Sequence, residues 1–123
     1  MLLALHHVQL AMPQGGEARA EAFYADVLGM NVARKPAVLR GRGGIWFELG
    51  DLRVHLGVED PFRPATKAHP AFRVRSLEQS VARLRHAGIA VRHDIGLPSL
   101  RRIYIEDPFG NRIELLEEIA TLP

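Results

Sequence analysis

RRIYIEDPFGNRIELLE, residues 101–117, reads as a β-hairpin, and the rest of the chain can be organised around it. Residues 103–106 and 112–116 are rich in β-branched and apolar side chains, as strands are. Between them Asp107, Pro108, Phe109, Gly110 and Asn111 carry turn chemistry: Pro pre-sets φ, and Gly with Asn accepts the left-handed conformation that closes the turn. Successive strand residues point to opposite faces, so Ile113 and Leu115 share one face while Arg112, Glu114 and Leu116 share the other. Glu114 is thus an acid set among apolar neighbours, and a carboxylate on a half-buried strand needs a counter-charge or a metal.

A chain of 123 residues is expected to fold as one domain with a substantial core. It has no cysteine, which excludes disulfides and thiolate metal sites. The start, MLLALHHVQL, lacks the basic region of a signal peptide, and no apolar run is long enough to span a membrane, so a cytoplasmic location is expected. Arginines are scattered and aromatics few, which argues against a nucleic-acid partner despite a net charge of +2. Six histidines are more than a chain of this size usually carries.

Taken in order, residues 5–12 alternate like a strand, with Val8, Leu10 and Met12 facing one way with His6, and Leu5, His7, Gln9 and Ala11 the other. Residues 17–28 have apolar positions at spacings of three and four, predicting a helix that stops at Gly29. A second strand is expected over 31–39, with Pro36 marking an edge or irregular position, then a loop at 41–44. Strands over 45–49 and 52–58 flank a tight turn at Gly50-Asp51. A linker at about 60–67 separates module one, about 1–59, from module two, about 68–120. Module two opens with a strand at 69–74. Ser76 and Gln79 form a capping-box pattern ahead of a helix reaching about His86, with Gly88 as its stop. A strand at 89–93, a loop at 94–100, the hairpin and a tail at 121–123 follow.

The two halves repeat as strand, helix, strand, hairpin. His7 and His69 hold the same place in their first strands, and Val54-His55-Leu56 corresponds to Ile113-Glu114-Leu115 at an offset of 59 residues. The predicted fold class is α+β: two tandem βαβββ modules with curved sheets enclosing a metal-binding cleft. His7, His55, His69 and Glu114 all fall on the face away from the main apolar stripe. Imidazole with carboxylate suits Zn²⁺, Mn²⁺, Fe²⁺, Ni²⁺ or Co²⁺, and two His with one carboxylate leave positions open for substrate. Gln9 and Arg73 share that face and are candidate contacts to an anionic substrate. Trp46 and Glu48 alternate with Ile45 and Phe47 toward it, and Arg101 and Arg102 flank a Gly- and Pro-containing loop as further anion contacts. His6 is expected on the helix-facing side; His86 and His93 carry no assigned chemistry.

With these residues in place the chain resembles the vicinal oxygen chelate superfamily, which includes glyoxalase I, fosfomycin- and bleomycin-resistance proteins and extradiol dioxygenases. The resemblance runs from Leu5-His6-His7-Val8-Gln9-Leu10 through Phe23-Tyr24, Leu28-Gly29 and His69-Pro70-Ala71-Phe72-Arg73-Val74 to Asp107-Pro108-Phe109-Gly110-Asn111-Arg112-Ile113-Glu114. It implies one divalent metal held by His7, His69 and Glu114. Position 55 is where glyoxalase I carries a Glu ligand and related epimerases a Gln. His55 there departs from both and is a candidate fourth ligand. The implied function is a metal-dependent lyase or isomerase working on a small oxygenated substrate, with Glu114 or His55 as base. A non-haem Fe(II) dioxygenase and a non-catalytic, antibiotic-binding resistance protein are the alternatives. A homodimer is expected, sometimes with one module from each chain completing a site in this superfamily.

Overall fold

The computed structural model describes residues 1–119; the tail expected at 121–123 and the end of the expected second module at 120 lie outside the described residues. The chain divides into two compact units, one ending at Ala65 and the other beginning at Thr66. The fold is α+β, and each unit is built on its own four-stranded mixed sheet. Among the described residues no helix is long and apolar enough to cross a membrane.

The first unit contains β1 (Val8–Met12), α1 (Glu17–Glu21) continuing as a π-helix (Ala22–Val27), β2 (Asn31–Ala33), a 3₁₀-helix (Ala37–Arg42), β3 (Ile45–Leu49) and β4 (Leu52–Val58). Its strand order is β1-β4-β3-β2, with β1 parallel to β4 and the other pairs antiparallel. The second unit contains β5 (Ala71–Arg73), α2 (Leu77–His86), β6 (Arg92–His93), β7 (Leu100–Glu106) and β8 (Arg112–Glu118). Its order, β5-β8-β7-β6, repeats the first with the same pattern of parallel and antiparallel pairs. The βαβββ repeat of the sequence is therefore a repeat of topology.

Alternation sets which face each side chain takes. In the first unit Leu10, Met12, Phe47, Val54 and Leu56 are buried together with Phe23 and Tyr24, and the Tyr24 ring stacks on Phe47 at 5.2 Å. In the second unit Ile103, Ile105, Ile113 and Leu115 are buried with Leu77, Val81 and Leu84 of α2. Each large apolar side chain so buried stabilises its unit by about 1.5–3 kcal/mol. The Leu77 N–H donates to Glu117 Oε1 (3.2 Å), which ties the start of α2 to the strand it covers. Ser76 caps α2 as expected, its Oγ accepting from the Gln79 N–H at 3.2 Å.

The turn between β7 and β8 is held from within. Asp107 Oδ1 accepts from the N–H groups of Phe109 and Asn111, and Oδ2 from Asn111 Nδ2, all at 2.9 Å. Gly110 sits at φ +90°, where a side chain would be strained. Asp107 and Asn111 are both buried, so these bonds replace the water the polar atoms give up.

Local expectations need correction at several places: the strands expected at 5–12, 69–74 and 89–93 shorten to Val8–Met12, Ala71–Arg73 and Arg92–His93, and β7 starts at Leu100, inside the expected loop. The helix over 17–28 forms, but its second half is π-helical, with Leu28 N–H bonded to the Phe23 carbonyl. The wider turn accompanies the burial of two successive aromatics, Phe23 and Tyr24. The second strand ends at Ala33 instead of 39. Pro36 lacks the N–H a ladder needs, and the chain turns after it into the 3₁₀-helix that occupies part of the expected loop. His6, expected against the helix, is exposed ahead of β1.

Candidate functional site

Each unit carries one group of three residues on the sheet face opposite its helix. In the first unit β4 presents His55, its register partner on β3 is Trp46, and His7 stands just ahead of β1. In the second unit β8 presents Glu114, its partner on β7 is Tyr104, and His69 stands just ahead of β5. The two trios, His7–His55–Trp46 and His69–Glu114–Tyr104, occupy equivalent places in equivalent sheets. One central residue is an imidazole and the other a carboxylate, and this difference governs the chemistry of each.

The first trio is a column of rings. Trp46 and His55 stack at 3.9 Å between centroids with planes 3° apart, and His7 stacks on His55 at 4.3 Å. His6 meets His7 edge-on, with 2.9 Å between their Nδ1 atoms, so one of the two nitrogens donates and the other accepts. His55 is buried, 7% exposed. Burial pushes its pKa down to about 4 from the usual 6.5, helped by the positive potential of His7, His6 and Arg53. At neutral pH His55 is therefore an uncharged ring inside an aromatic stack. Gln9 pairs in register with His55, and its amide lies over Gly57, where an added Cβ would come within 2.6 Å of Nε2.

The second trio is charged. His69 Nε2 and Glu114 Oε1 are 2.9 Å apart, with Glu114 buried and His69 half-buried. His69 Nδ1 lies 2.8 Å from the Lys67 carbonyl. A carbonyl can only accept, so Nδ1 carries a proton and Nε2 is the nitrogen turned to the carboxylate. The Tyr104 ring stands edge-on to His69 at 5.5 Å. Its surroundings are rich in guanidinium: the Cζ atoms of Arg112, Arg92 and Arg102 lie 3.9, 5.5 and 5.8 Å from the ring centroid.

The other candidates are spread out. Arg102 is bonded to Asp94 at 3.0 Å. Arg73 is exposed and paired with Glu118 at 3.0 Å. Arg101, Glu48, His86 and His93 are exposed. Among the described residues no group of three or more His, Asp or Glu side chains is gathered as a metal centre; the donors are brought together two by two, His7 with His55 and His69 with Glu114. A cavity of about 740 Å³ in the second unit lies between α2 and residues 93–102, and neither His69 nor Glu114 lines it. Tyr104 and Arg112 went unassigned by sequence reasoning. The alternation that singled out Glu114 also puts Arg112 on its face, whereas Tyr104 is set opposite Glu114 by the pairing of β7 with β8.

Residues 4–115 match the family model described as Glyoxalase/Bleomycin resistance protein/Dioxygenase superfamily. The chain belongs to this superfamily. The match spans both trios. A crystal structure of a protein assigned to the glyoxalase family, from Bacillus anthracis, is 44% identical over 96% of this chain and 97% of its own, with a TM-score of 0.93. TnmS3, an antibiotic-binding protein from Streptomyces sp. CB03234, is 25% identical over 95% of this chain and 99% of its own, with a TM-score of 0.72. The fosfomycin resistance protein FosX from Listeria monocytogenes shares the fold at 19% identity, covering 99% of this chain and 97% of its own with a TM-score of 0.76. No curated protein matches the chain. The superfamily's description joins glyoxalases, bleomycin resistance proteins and dioxygenases, so membership alone does not choose among them and the site residues must carry that choice.

Proposed function

We propose that this chain is a metal-dependent enzyme of glyoxalase type, a lyase or isomerase acting on a small oxygenated molecule. The His69–Glu114 pair is the observation that carries this reading. Nδ1 of His69 is committed to the Lys67 carbonyl, so Nε2 and the carboxylate face each other across 2.9 Å with a cation, a proton or a metal ion, required between them. Two donors each about 2.1 Å from an ion and at right angles to one another stand about 3.0 Å apart. The observed separation fits that arrangement, and the outer hydrogen bond to His69 is the support that metal-ligating histidines usually have. The superfamily resemblance implies His7 as a third ligand and leaves His55 as a candidate fourth, and metal content of the variants below tests both.

Bound here, a divalent ion would supply Lewis-acid polarisation of two neighbouring substrate oxygens. The chain's own residues do the rest. The Lys67 carbonyl fixes the tautomer and orientation of His69. His55, neutral at pH 7, offers a lone pair without first losing a proton, but a group titrating near 4 is a weak base at that pH. His55 therefore suits ligation or substrate orientation, and Glu114 is the other candidate base. Trp46 and Gln9, the register partners of His55, are candidate substrate contacts in the first module, and Arg102 is one in the second.

The test is metal content of the untagged protein by mass spectrometry, beside His7→Ala, His69→Ala and Glu114→Gln. About one divalent ion per chain, lost in each variant, is expected from a single site with open positions. A variant that keeps its metal removes that residue from the set. We further infer a cytoplasmic homodimer. Mixing unfolded His7→Ala and His69→Ala chains and refolding them together asks whether two chains share a site, since only then does the mixture recover metal. Metal identity directs the assay: iron calls for oxygen-uptake measurements, which test the dioxygenase alternative.

A second reading is favoured by the aromatic column. Trp46, His55 and His7 form a stacking surface suited to a planar ligand, and TnmS3 is an antibiotic-binding protein. A chain that stays metal-free after reconstitution but quenches Trp46 fluorescence on binding a planar antibiotic would be a sequestering protein, not an enzyme.

A further inference from the structure

Arg112, beside the proposed metal ligands, is a cation that makes no ion pair among the described residues. It lies on β8 two residues before Glu114 and on the same face, roughly 7 Å away along the strand. Its guanidinium rests over the Tyr104 ring, 3.9 Å from the centroid. Among the described residues it makes no ion pair, and its Nε is buried with no hydrogen-bond partner. Its register partner across the hairpin, Glu106, is exposed and does not bridge it. A buried guanidinium N–H left unpaired is destabilising, so its retention calls for a partner that comes and goes.

Two more guanidiniums share this face. Arg92 pairs in register with Tyr104 and is exposed. Arg102 is held by Asp94 through Nη2, yet its Nε is also buried and unpaired. Against three arginines stand Asp94, already used by Arg102, Glu114, already used by His69, and Glu106, exposed and bridged to none of them. Arg112 and Arg92 are left over, with planar N–H groups of the kind that bind carboxylate and phosphate oxygens in pairs.

We propose that Arg112, aided by Arg92 and Arg102 around Tyr104, binds an anionic oxygen group of the substrate, a carboxylate or a phosphate-type ester or phosphonate. Resting on the glyoxalase-type reading of the same face, this specifies the substrate class: a small molecule with two neighbouring oxygens at one end and an anionic group that reaches the guanidinium held over Tyr104, the register partner of Glu114. Arg112 holds the anionic end and so sets which of the substrate's ends reaches Glu114.

The experiment uses the full-length chain stripped of metal with EDTA, so that it stands apart from metal binding. Inorganic phosphate and acetate are titrated in low salt, followed by backbone amide NMR shifts. Saturable shifts centred on Tyr104, Arg112 and their neighbours are expected, and the tighter of the two ions tells phosphate from carboxylate. Arg112→Gln should weaken binding by about tenfold or more, as loss of one charge-assisted hydrogen bond does. Arg112→Lys should recover part of it, and Arg40→Gln, in the first unit, should change nothing. If Arg112→Gln does not fold, Arg92→Gln at an exposed position carries the test with a smaller expected loss of about threefold. Shifts that never saturate in the wild type, or equal affinity in Arg112→Gln and wild type, overturn the proposal. Metal content of Arg112→Gln, measured separately, should equal that of the wild type, so loss of anion binding and loss of the metal site are read independently.

Discussion

Acidifying the metal-free protein should destabilise it through His55, and the structure sets the size of the effect. In the unfolded chain this imidazole titrates near 6.5; in the folded chain burial first, then His7, His6 and Arg53, hold it near 4. Above 6.5 it is neutral in both states and stability is full. As pH falls through 6.5 the unfolded chain takes up a proton that the folded chain refuses, so stability is lost until about pH 4, where both states are protonated. The gap between the two values corresponds to roughly 3 kcal/mol, of which about 2 kcal/mol is lost by pH 5. The geometry explains the refusal: an imidazolium at position 55 would lose its water in a buried position and lie face to face with the His7 ring at 4.3 Å. Urea unfolding at about pH 8 and pH 5 measures the loss, and His55→Gln isolates it, because the other titrating groups cancel in the comparison. The wild type should lose about 2 kcal/mol more than His55→Gln over that interval. Equal losses, or an NMR titration of the His55 ring with a midpoint near 6.5, would refute the reasoning.

Three further perturbations follow from the packing. Gly44→Ala places a Cβ 2.4 Å from the Leu56 carbonyl oxygen at a residue with φ +87°, so denaturant melts should show a loss of at least about 2 kcal/mol. Asn111→Ala removes one of the donors to buried Asp107 and should cost about 1.5–3 kcal/mol, with hydrogen exchange accelerated first at the β7–β8 turn. Ser76→Ala takes away the α2 cap and should cost about 1 kcal/mol, whereas Ser76→Asp should restore the wild-type midpoint.

Much of the fold was legible because alternation and turn chemistry are local. Asp107-Pro108-Phe109-Gly110-Asn111 specified its hairpin through side-chain bonds that span four residues at most. Ser76 announced α2 in the same way, and the repeat made each module evidence for the other. Where the fold departed from expectation, the deciding interactions were not local. The strand beginning at Asn31 has only β3 as a neighbour, so nothing holds it past Ala33 once Pro36 breaks the ladder. Within the π-helix, Tyr24 stacks on Phe47, a residue far along the chain. Of the site, alternation placed His55 and Glu114 on the face away from the core. It placed Arg112 there too, but a lone arginine on a strand looks the same in sequence whether solvated or held over a ring. Only the pairing of β7 with β8 puts Tyr104 under it.

The equivalence of the two trios argues for a division of labour between the modules. Both sheets set a histidine ahead of the first strand, a chemically active residue on the last, and an aromatic opposite it, so the scaffold itself favours neither module. The residue in the middle decides. With an imidazole there, the histidine and tryptophan rings can close into a neutral stack, which works only while His55 stays unprotonated. With a carboxylate there, the histidine is drawn edge-on into a 2.9 Å contact and the stack cannot form. The carboxylate also gives the arginines around Tyr104 a nearby negative charge, though one already engaged by His69. A substrate of the anionic, chelating kind proposed above would suit the second unit's face, whereas the stacked rings of the first unit's face suit a planar group. His55 and Glu114 are thus the pair at which exchange of chemistry between the repeats would be felt most, since each sets the charge of its own module's face.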